Sequence, residues 1–333
     1  MLKSSSLEIL QSSKNLLAFS AGGDSTSLFF LLLQNNIKFD IAIVDYQMRE
    51  QSKEEVLYAK KLASTHKLKC HILIAEKIEK NFEAKARAIR YEFFEKTIKE
   101  FSYNNLLTAH HLGDRFEWML MQFCKGAGCA ELSGMQEIQD NKTYKLIRPL
   151  LHIDKQEILD YLEKKNLVYF NDETNNDKTI KRNSFRHDYT QPLLEEHLSG
   201  IKKSFEYIDE DRKLLIKDIV VNTINDFAYF KNSYNKRSTI YAIDKYLKSI
   251  GHMITAAERE LLKVQTTLEI GRKYIINQNE KFVFIAPIVS NEITLDKEFK
   301  EECRKLNIVP ELRKYFYINQ NIFFSIKEIY SNP

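Results

Sequence analysis

The stretch Phe19-Ser20-Ala21-Gly22-Gly23-Asp24-Ser25 decides the fold. An aliphatic run, Leu16 to Phe19, leads into it as a buried strand, and Ser25 to Gln34 leaves it as an amphipathic helix. Between the two, small side chains let backbone N–H groups approach an anion at the positive end of the helix, so the stretch reads as a phosphate loop. No GK followed by Ser or Thr is present, which excludes a Walker A loop, and GxGxxG is absent, which excludes a dinucleotide fingerprint. On the loop alone, an ordinary glycine turn between strand and helix stays open as the alternative.

Outward from the loop, strand and helix alternate. Asn15 to Phe19, Phe39 to Val44, Cys70 to Ala75 and Asn105 to Ala109 read as strands. Ser25 to Gln34, Lys53 to Thr65, Asn81 to Phe101 and Asp114 to Phe123 read as the helices between and after them. Such alternation with short connections specifies an α/β fold, a parallel sheet with helices on both faces. Ser20, Asp45, Ala75 and His110 then lie near the rim formed by the carboxyl ends of the strands, where open sheets bind their ligands. Gly126, Gly128 and Gly134 mark a loop, Tyr144 to Ile147 a short strand, and Asp154 with Glu157 a capping box that opens another helix. Residues 171 to 187 are turn-forming and then basic, the composition of a long functional loop. From about 205 to Gln265 the pattern becomes long, Lys-rich, aromatic-studded helical segments, one of them capped by Thr255-x-x-Glu258. Arg272 to Asn277 and Lys281 to Ile285 then read as a hairpin around Gln278 and Asn279. The expected organisation is a first domain over 1–200 and a smaller α+β domain over 205–333.

With 333 residues, 44% hydrophobic and 29% charged, the chain is long enough to bury two cores. Its longest apolar run, Leu28 to Leu33, is far too short for a membrane span, and the N-terminus lacks a signal-peptide pattern. A cytoplasmic protein with no membrane association is expected. Cys70, Cys124, Cys129 and Cys303 include no CxxC pair, which points away from a zinc ribbon, an iron-sulfur site or a disulfide framework. A net charge of +4 permits nucleic-acid binding without requiring it.

The loop resembles the SGGxDS loop of the PP-loop ATP pyrophosphatase superfamily, whose members split ATP between the α and β phosphates to adenylate a substrate. Further segments fall in register: Val44-Asp45-Tyr46-Gln47-Met48-Arg49, Glu83 to Tyr91, and Thr108-Ala109-His110-His111-Leu112-Gly113-Asp114-Arg115-Phe116-Glu117. Lys125 to Met135, Ile147-Arg148-Pro149-Leu150-Leu151 and Arg182-Asn183-Ser184-Phe185-Arg186 complete the series. Each is weak alone; together, over about residues 15 to 190, they resemble the bacterial tRNA(Ile)-lysidine synthetase family. That resemblance implies an ATP-dependent ligase that adenylates C2 of the wobble cytidine in the CAU-anticodon isoleucine tRNA. Free L-lysine is then joined there, giving lysidine, which reads AUA. It also implies ATP binding by Ser20, Ala21, Gly22, Gly23, Asp24, Ser25 and Asp45, and catalysis by Asp24, Arg87, His111, Asp114 and Glu117. Contact with tRNA is implied for Arg148, Arg182, Asn183 and Arg186, and Mg2+ ligation for Asp24 and Asp114. The C-terminal domain is expected to dock tRNA, and the sequence leaves a homodimer open.

Residue chemistry supports the same roles. Asp24 suits a magnesium ion shared with phosphates, though it equally suits an N-cap. His111, Asp114 and Glu117 recur every three residues at a helix start and share one side of it, where a capped, solvated helix start is the plain alternative. One of the two carboxylates is a candidate general base for the lysine amine. Arg87 lies four residues after Glu83, so a surface pair competes with phosphate contact. Arg182, Asn183, Arg186 and His187, with Lys178 and Lys181, form a basic cluster suited to an RNA backbone, or simply a solvated loop. Ala21 stands where the family has glycine, so an ordinary φ is expected there, with any unusual angle at Gly22 or Gly23. Gly113, Arg115, Trp118 and Tyr46 also depart from the family pattern. Another PP-loop tRNA base modifier, such as a 2-thiolation enzyme, and a non-catalytic nucleotide- or RNA-binding module are the competing functions.

Overall fold

The computed structural model describes residues 1–331 apart from 49, 50, 79, 142, 172–180 and 234. Arg49, Lys178 and most of the turn-forming part of the basic loop therefore lie outside the described residues. The chain divides into two compact units, Met1–Asp209 and Glu210–Pro333.

The first unit is built on a six-stranded sheet of β1 (Asn15–Ala18), β2 (Phe39–Asp45), β3 (Cys70–Ile74), β4 (Asn105–Leu107), β5 (Ile138–Asp140) and β6 (Lys145–Ile147). The spatial order is β3-β2-β1-β4-β6-β5. All neighbours are parallel except β5 with β6. Before β4 the helices are α1 (Ser4–Gln11), α2 (Gly23–Gln34), α3 (Gln51–Thr65) and α4 (Phe82–Phe101). After it come α5 (Leu112–Phe123), α6 (Cys129–Leu132), α7 (Lys155–Lys164), α8 (Lys181–Phe185), a π turn over Arg186–Thr190, and α9 (Gln191–Leu215). Strands buried on both faces read as unbroken apolar runs, and Leu16 and Leu17 of the central β1 are both fully buried. One face is covered by α2, α3 and α7 through Leu28, Phe29, Leu62, Ile158 and Leu162. The other is covered by α4 through Phe94 and Ile98 against Leu16, Leu106 and Leu146.

Strand order reverses at β1: the chain steps outward through β2 and β3, then returns to place β4 on the opposite side. Loops after β1 and β4 consequently diverge and leave a crevice at their carboxyl ends. This is the expected parallel sheet, with β5 as an antiparallel edge that the sequence reading lacked. The capping boxes at Asp154–Glu157 and Thr255–Glu258 are both formed.

In the second unit, β7 (Asn222–Ile224), β8 (Phe227–Lys231), β9 (Thr267–Ile270), β10 (Tyr274–Gln278) and β11 (Phe282–Pro287) form an antiparallel sheet in the order β7-β8-β11-β10-β9. Helices α10 (Lys236–Ser249) and α11 (Ala256–Val264) accompany a core of Phe230, Ile243, Leu247, Leu262 and Ile276. Helices α12 (Lys297–Lys305), α13 (Pro310–Ile318) and α14 (Gln320–Ser331) accompany a second core of Phe227, Phe284, Phe316 and Phe323. The β10–β11 hairpin lies where the sequence places it. The β7–β8 hairpin replaces part of the expected helical stretch, because Asn225 takes a left-handed φ of 55° and closes a tight turn. Among the described residues, no helix is long and apolar enough to cross a membrane.

Candidate active site

The phosphate loop leaves the central strand at the reversal point. Gly22 (φ −72°) is the N-cap of α2 and supplies no side-chain cap, so the first N–H groups of the helix face the loop without a side-chain acceptor. The Ser25 hydroxyl accepts from the Ser20 N–H at 3.2 Å, donates to the Gly22 carbonyl at 3.0 Å and lies 3.1 Å from the Ser20 hydroxyl. Contrary to expectation, it is Ala21 that takes the left-handed conformation, with φ 60°, while Gly22 keeps an ordinary angle and Gly23 is helical. The local cost of about 1 to 2 kcal/mol is met by tertiary contacts. Phe170 N–H donates to the buried Ala21 carbonyl at 3.0 Å, and the Thr26 hydroxyl donates to it at 3.3 Å. Gly23 packs closely, since a Cβ there would lie 3.3 Å from Leu162 Cδ1 and 3.4 Å from the Tyr169 ring, and both side chains would have to yield slightly. Asp24, in the first turn of α2, pairs with Lys155 Nζ at 2.5 Å, a partner the sequence reading missed. Asp45, at the end of β2, accepts from the Gln47 N–H at 2.8 Å.

Across the crevice, the loop after β4 delivers α5. His111 is its N-cap: Nδ1 accepts from the Gly113 N–H at 3.0 Å, and Asp114 Oδ2 accepts from the His111 N–H at 3.1 Å. Because Nδ1 accepts, the ring proton of a neutral His111 sits on Nε2, 3.6 Å from Asp114 Oδ2. A Cβ at position 113 would lie 2.8 Å from His111 Cε1, so this cap demands glycine there.

Asp114 and Glu117 are buried, and both are engaged by the basic segment. Arg182 reaches Glu117 Oε1 at 2.5 Å and Asp114 Oδ1 at 3.2 Å; Arg186 reaches Glu117 Oε2 and Asp114 Oδ1, each at 2.9 Å. Two carboxylates thus face two guanidiniums in a cluster of zero net charge. Arg182 and Arg186 were expected to face an RNA backbone; the structure turns them onto α5. Asn183 between them is buried. Burial pushes the Asp114 carboxyl up, but the His111 and His110 rings and the Arg186 and Arg182 guanidiniums outweigh it and hold it well below the usual carboxylate range.

His110, which the sequence places at the rim without a chemical role, is the most perturbed histidine of the site. Burial is the main cause of a pKa lowered to about 4; Asp114 opposes it, and Arg148, Arg182 and Arg87 add to it. The ring is therefore neutral at physiological pH, with Nδ1 2.9 Å from the Thr108 hydroxyl. Arg87 of α4 is exposed and lies over the Tyr91 ring at 4.8 Å, rather than pairing with Glu83. Arg148, just past β6, is buried, and its guanidinium donates to the Gln136 carbonyl at 2.7 Å. Expected to touch RNA, it is turned here toward the protein's own backbone. Tyr46 donates to the Ala86 carbonyl at 2.9 Å and so anchors the start of α4.

The phosphate loop and this charged cluster thus flank one crevice, and residues 2–193 match the PP-loop domain family. The chain is 42% identical to a tRNA(Ile)-lysidine synthase of Helicobacter pylori, across 93% of its own length and 91% of the relative's. It is 40% identical to that of Campylobacter jejuni, across 95% and 96%. The chain belongs to the tRNA(Ile)-lysidine synthase family. A U34-tRNA thiolase, NcsA, from Methanococcus maripaludis shares the fold: TM-score 0.51 at 19% identity, covering 62% of this chain and 74% of that one.

Among the departures from the family pattern, Arg115 has a local explanation. Arg115 is buried, donates to the Ser133 carbonyl at 3.0 and 3.3 Å, and grips Asp209 of α9 with both terminal nitrogens. Its guanidinium also stacks 4.2 Å over Phe205. It is a structural tie between α5, the glycine loop and α9.

Proposed function

We propose that the chain joins L-lysine to C2 of the wobble cytidine of the CAU-anticodon isoleucine tRNA, using ATP and releasing AMP and pyrophosphate. What carries this reading is the meeting, at one sheet reversal, of an uncapped phosphate loop and a carboxylate–guanidinium cluster, in a chain matched over 93% of its length by a lysidine synthase. The N–H groups opening α2 and the Ser20 and Ser25 hydroxyls hold the triphosphate. Arg87 answers the charge that develops as the cytosine O2 attacks the α-phosphate. Asp24 is the carboxylate suited to magnesium, which needs one or two such ligands besides phosphate oxygens; it must first exchange its Lys155 partner. Magnesium, when bound, would neutralise charge on the departing pyrophosphate. Asp114 suits the ion less, because both its oxygens are already bonded.

In the second half-reaction the neutral ε-amine attacks C2, AMP leaves, and the amine loses a proton. Asp114, held strongly acidic, is a weak base. Glu117 is the carboxylate left to test for that role. The second unit serves tRNA docking, and the reaction belongs in the cytoplasm; a homodimer is compatible with it.

The test is ATP-dependent incorporation of labelled lysine into an unmodified CAU isoleucine transcript, with elongator methionine tRNA as control and Asp24→Asn as the blank. Incorporation into the isoleucine transcript alone is expected. Cleavage of ATP to AMP and pyrophosphate without lysine transfer would overturn the lysine assignment, and absence of any ATP cleavage would overturn the enzyme.

A further inference from the structure

Trp118 is the only tryptophan in the chain, and it is 44% exposed. It stands on α5 next to Glu117 and four residues beyond Asp114, a spacing that makes side chains neighbours on a helix. The indole therefore borders the charged cluster. Its position is fixed from behind by Gly134, whose φ is +63° and where a Cβ would lie 3.0 Å from Trp118 Cδ1 and 3.7 Å from Nε1. The carbonyl of Ser133 just before it is held by the buried Arg115. The ring is thus seated on a backbone turn that is itself tied down. Among the described residues it has no aromatic or cationic neighbour within stacking range, and its N–H has no acceptor. Covering a glycine turn does not require so large a ring left so open; a rigid, exposed aromatic face beside a reactive cluster is the form of a nucleobase platform.

We propose that Trp118 is a stacking platform for an unpaired base of the tRNA anticodon loop, holding the reacting nucleotide beside Asp114 and Glu117. This rests on the reaction proposed above. Every base has a π-face, so stacking here supplies affinity and position without itself selecting sequence.

A lone tryptophan makes the test direct. Intrinsic fluorescence should be quenched when the wild-type protein is titrated with a synthetic CAU anticodon stem-loop, and not by a fully paired RNA duplex of equal length. Trp118→Ala should raise the KM for tRNA about tenfold or more, a stacking-sized effect, with the KM for ATP unchanged, and Trp118→Phe should restore most of it. No quenching, or equal quenching by duplex and loop, would overturn the proposal even if the wild type incorporates lysine. Selective quenching by the loop in a protein that transfers no lysine would uphold the platform and overturn the reaction instead. Should Trp118→Ala fold poorly, the wild-type titration and the phenylalanine variant still decide.

Discussion

Ala21 and Gly22 divide the work of the phosphate loop in a way that their residue types invert. The left-handed turn is at the alanine, and the glycine sits at an angle any residue adopts. Ala21→Gly should therefore stabilise the protein by about 1 kcal/mol, a rise of about 2 to 4 °C in Tm, with lysine transfer retained. Gly22→Ala should behave oppositely. Its Cβ would meet nothing nearer than the Ser20 hydroxyl at 3.5 Å, so Tm should hold. The methyl would nevertheless stand where a phosphate approaches the helix start, and kcat/KM for ATP should fall about tenfold or more. Thermal unfolding and steady-state kinetics on the two variants check both. His110 gives a residue-scale dependence on pH. Its folded pKa of about 4 lies below the unfolded value of about 6.5, so the unfolded chain takes up the proton first. The stability this neutral ring contributes is full above pH 6.5 and is lost as pH falls toward 4. Denaturant titrations should show wild type losing about 1 to 3 kcal/mol more than His110→Asn across that window.

At the scale of elements, α5 is held twice over in its first turn: by the His111–Asp114 capping box, and by Arg115 bonded to the Ser133 carbonyl and Asp209. Arg115→Ala would leave that carbonyl and Asp209 without their buried donor. A loss of about 3 kcal/mol is expected in chemical denaturation, with lysine transfer falling because the cluster loses its mounting. What the sequence made legible at this scale was whatever is written in periodicity and local caps. The β1 to β4 runs, the helices between them and the boxes at Asp154 and Thr255 all depend on neighbours within a few residues. The β7–β8 hairpin was hidden because its strands are short and set among lysines, although Asn225-Asp226 between apolar runs was the available signal. Asp114, Glu117, Arg182 and Arg186, which the structure brings together, were each picked out from the sequence, but their pairings were not. Arg182 and Arg186, four apart, match Asp114 and Glu117, three apart, yet a sequence cannot say whether a guanidinium faces RNA or a carboxylate nearly seventy residues away. Lys155 on Asp24 is hidden for the same reason, and the φ of Ala21 because a hydrogen bond from Phe170 decides it.

For the whole molecule, the division at Asp209–Glu210 falls inside α9 rather than in a loop. Phe205 and Asp209, both beyond residue 200, belong to the support of α5. A fragment ending at 200 should accordingly expose Phe116 and strand Arg115, whereas one ending at Leu215 keeps both partners. Soluble yield and Tm of the two fragments check this, the shorter being the less stable by about 3 kcal/mol or more. The cluster of Asp114, Glu117, Arg182 and Arg186 has a consequence for traffic through the molecule. Its charges cancel, so no single ion can enter without a swap: an ammonium gains the carboxylates only once the guanidiniums have found other anions. In the proposed reaction those anions are phosphates, carried by ATP and RNA. On that reaction the quartet should act as a turnstile, and equilibrium titration should show free lysine binding only once ATP and the RNA are present.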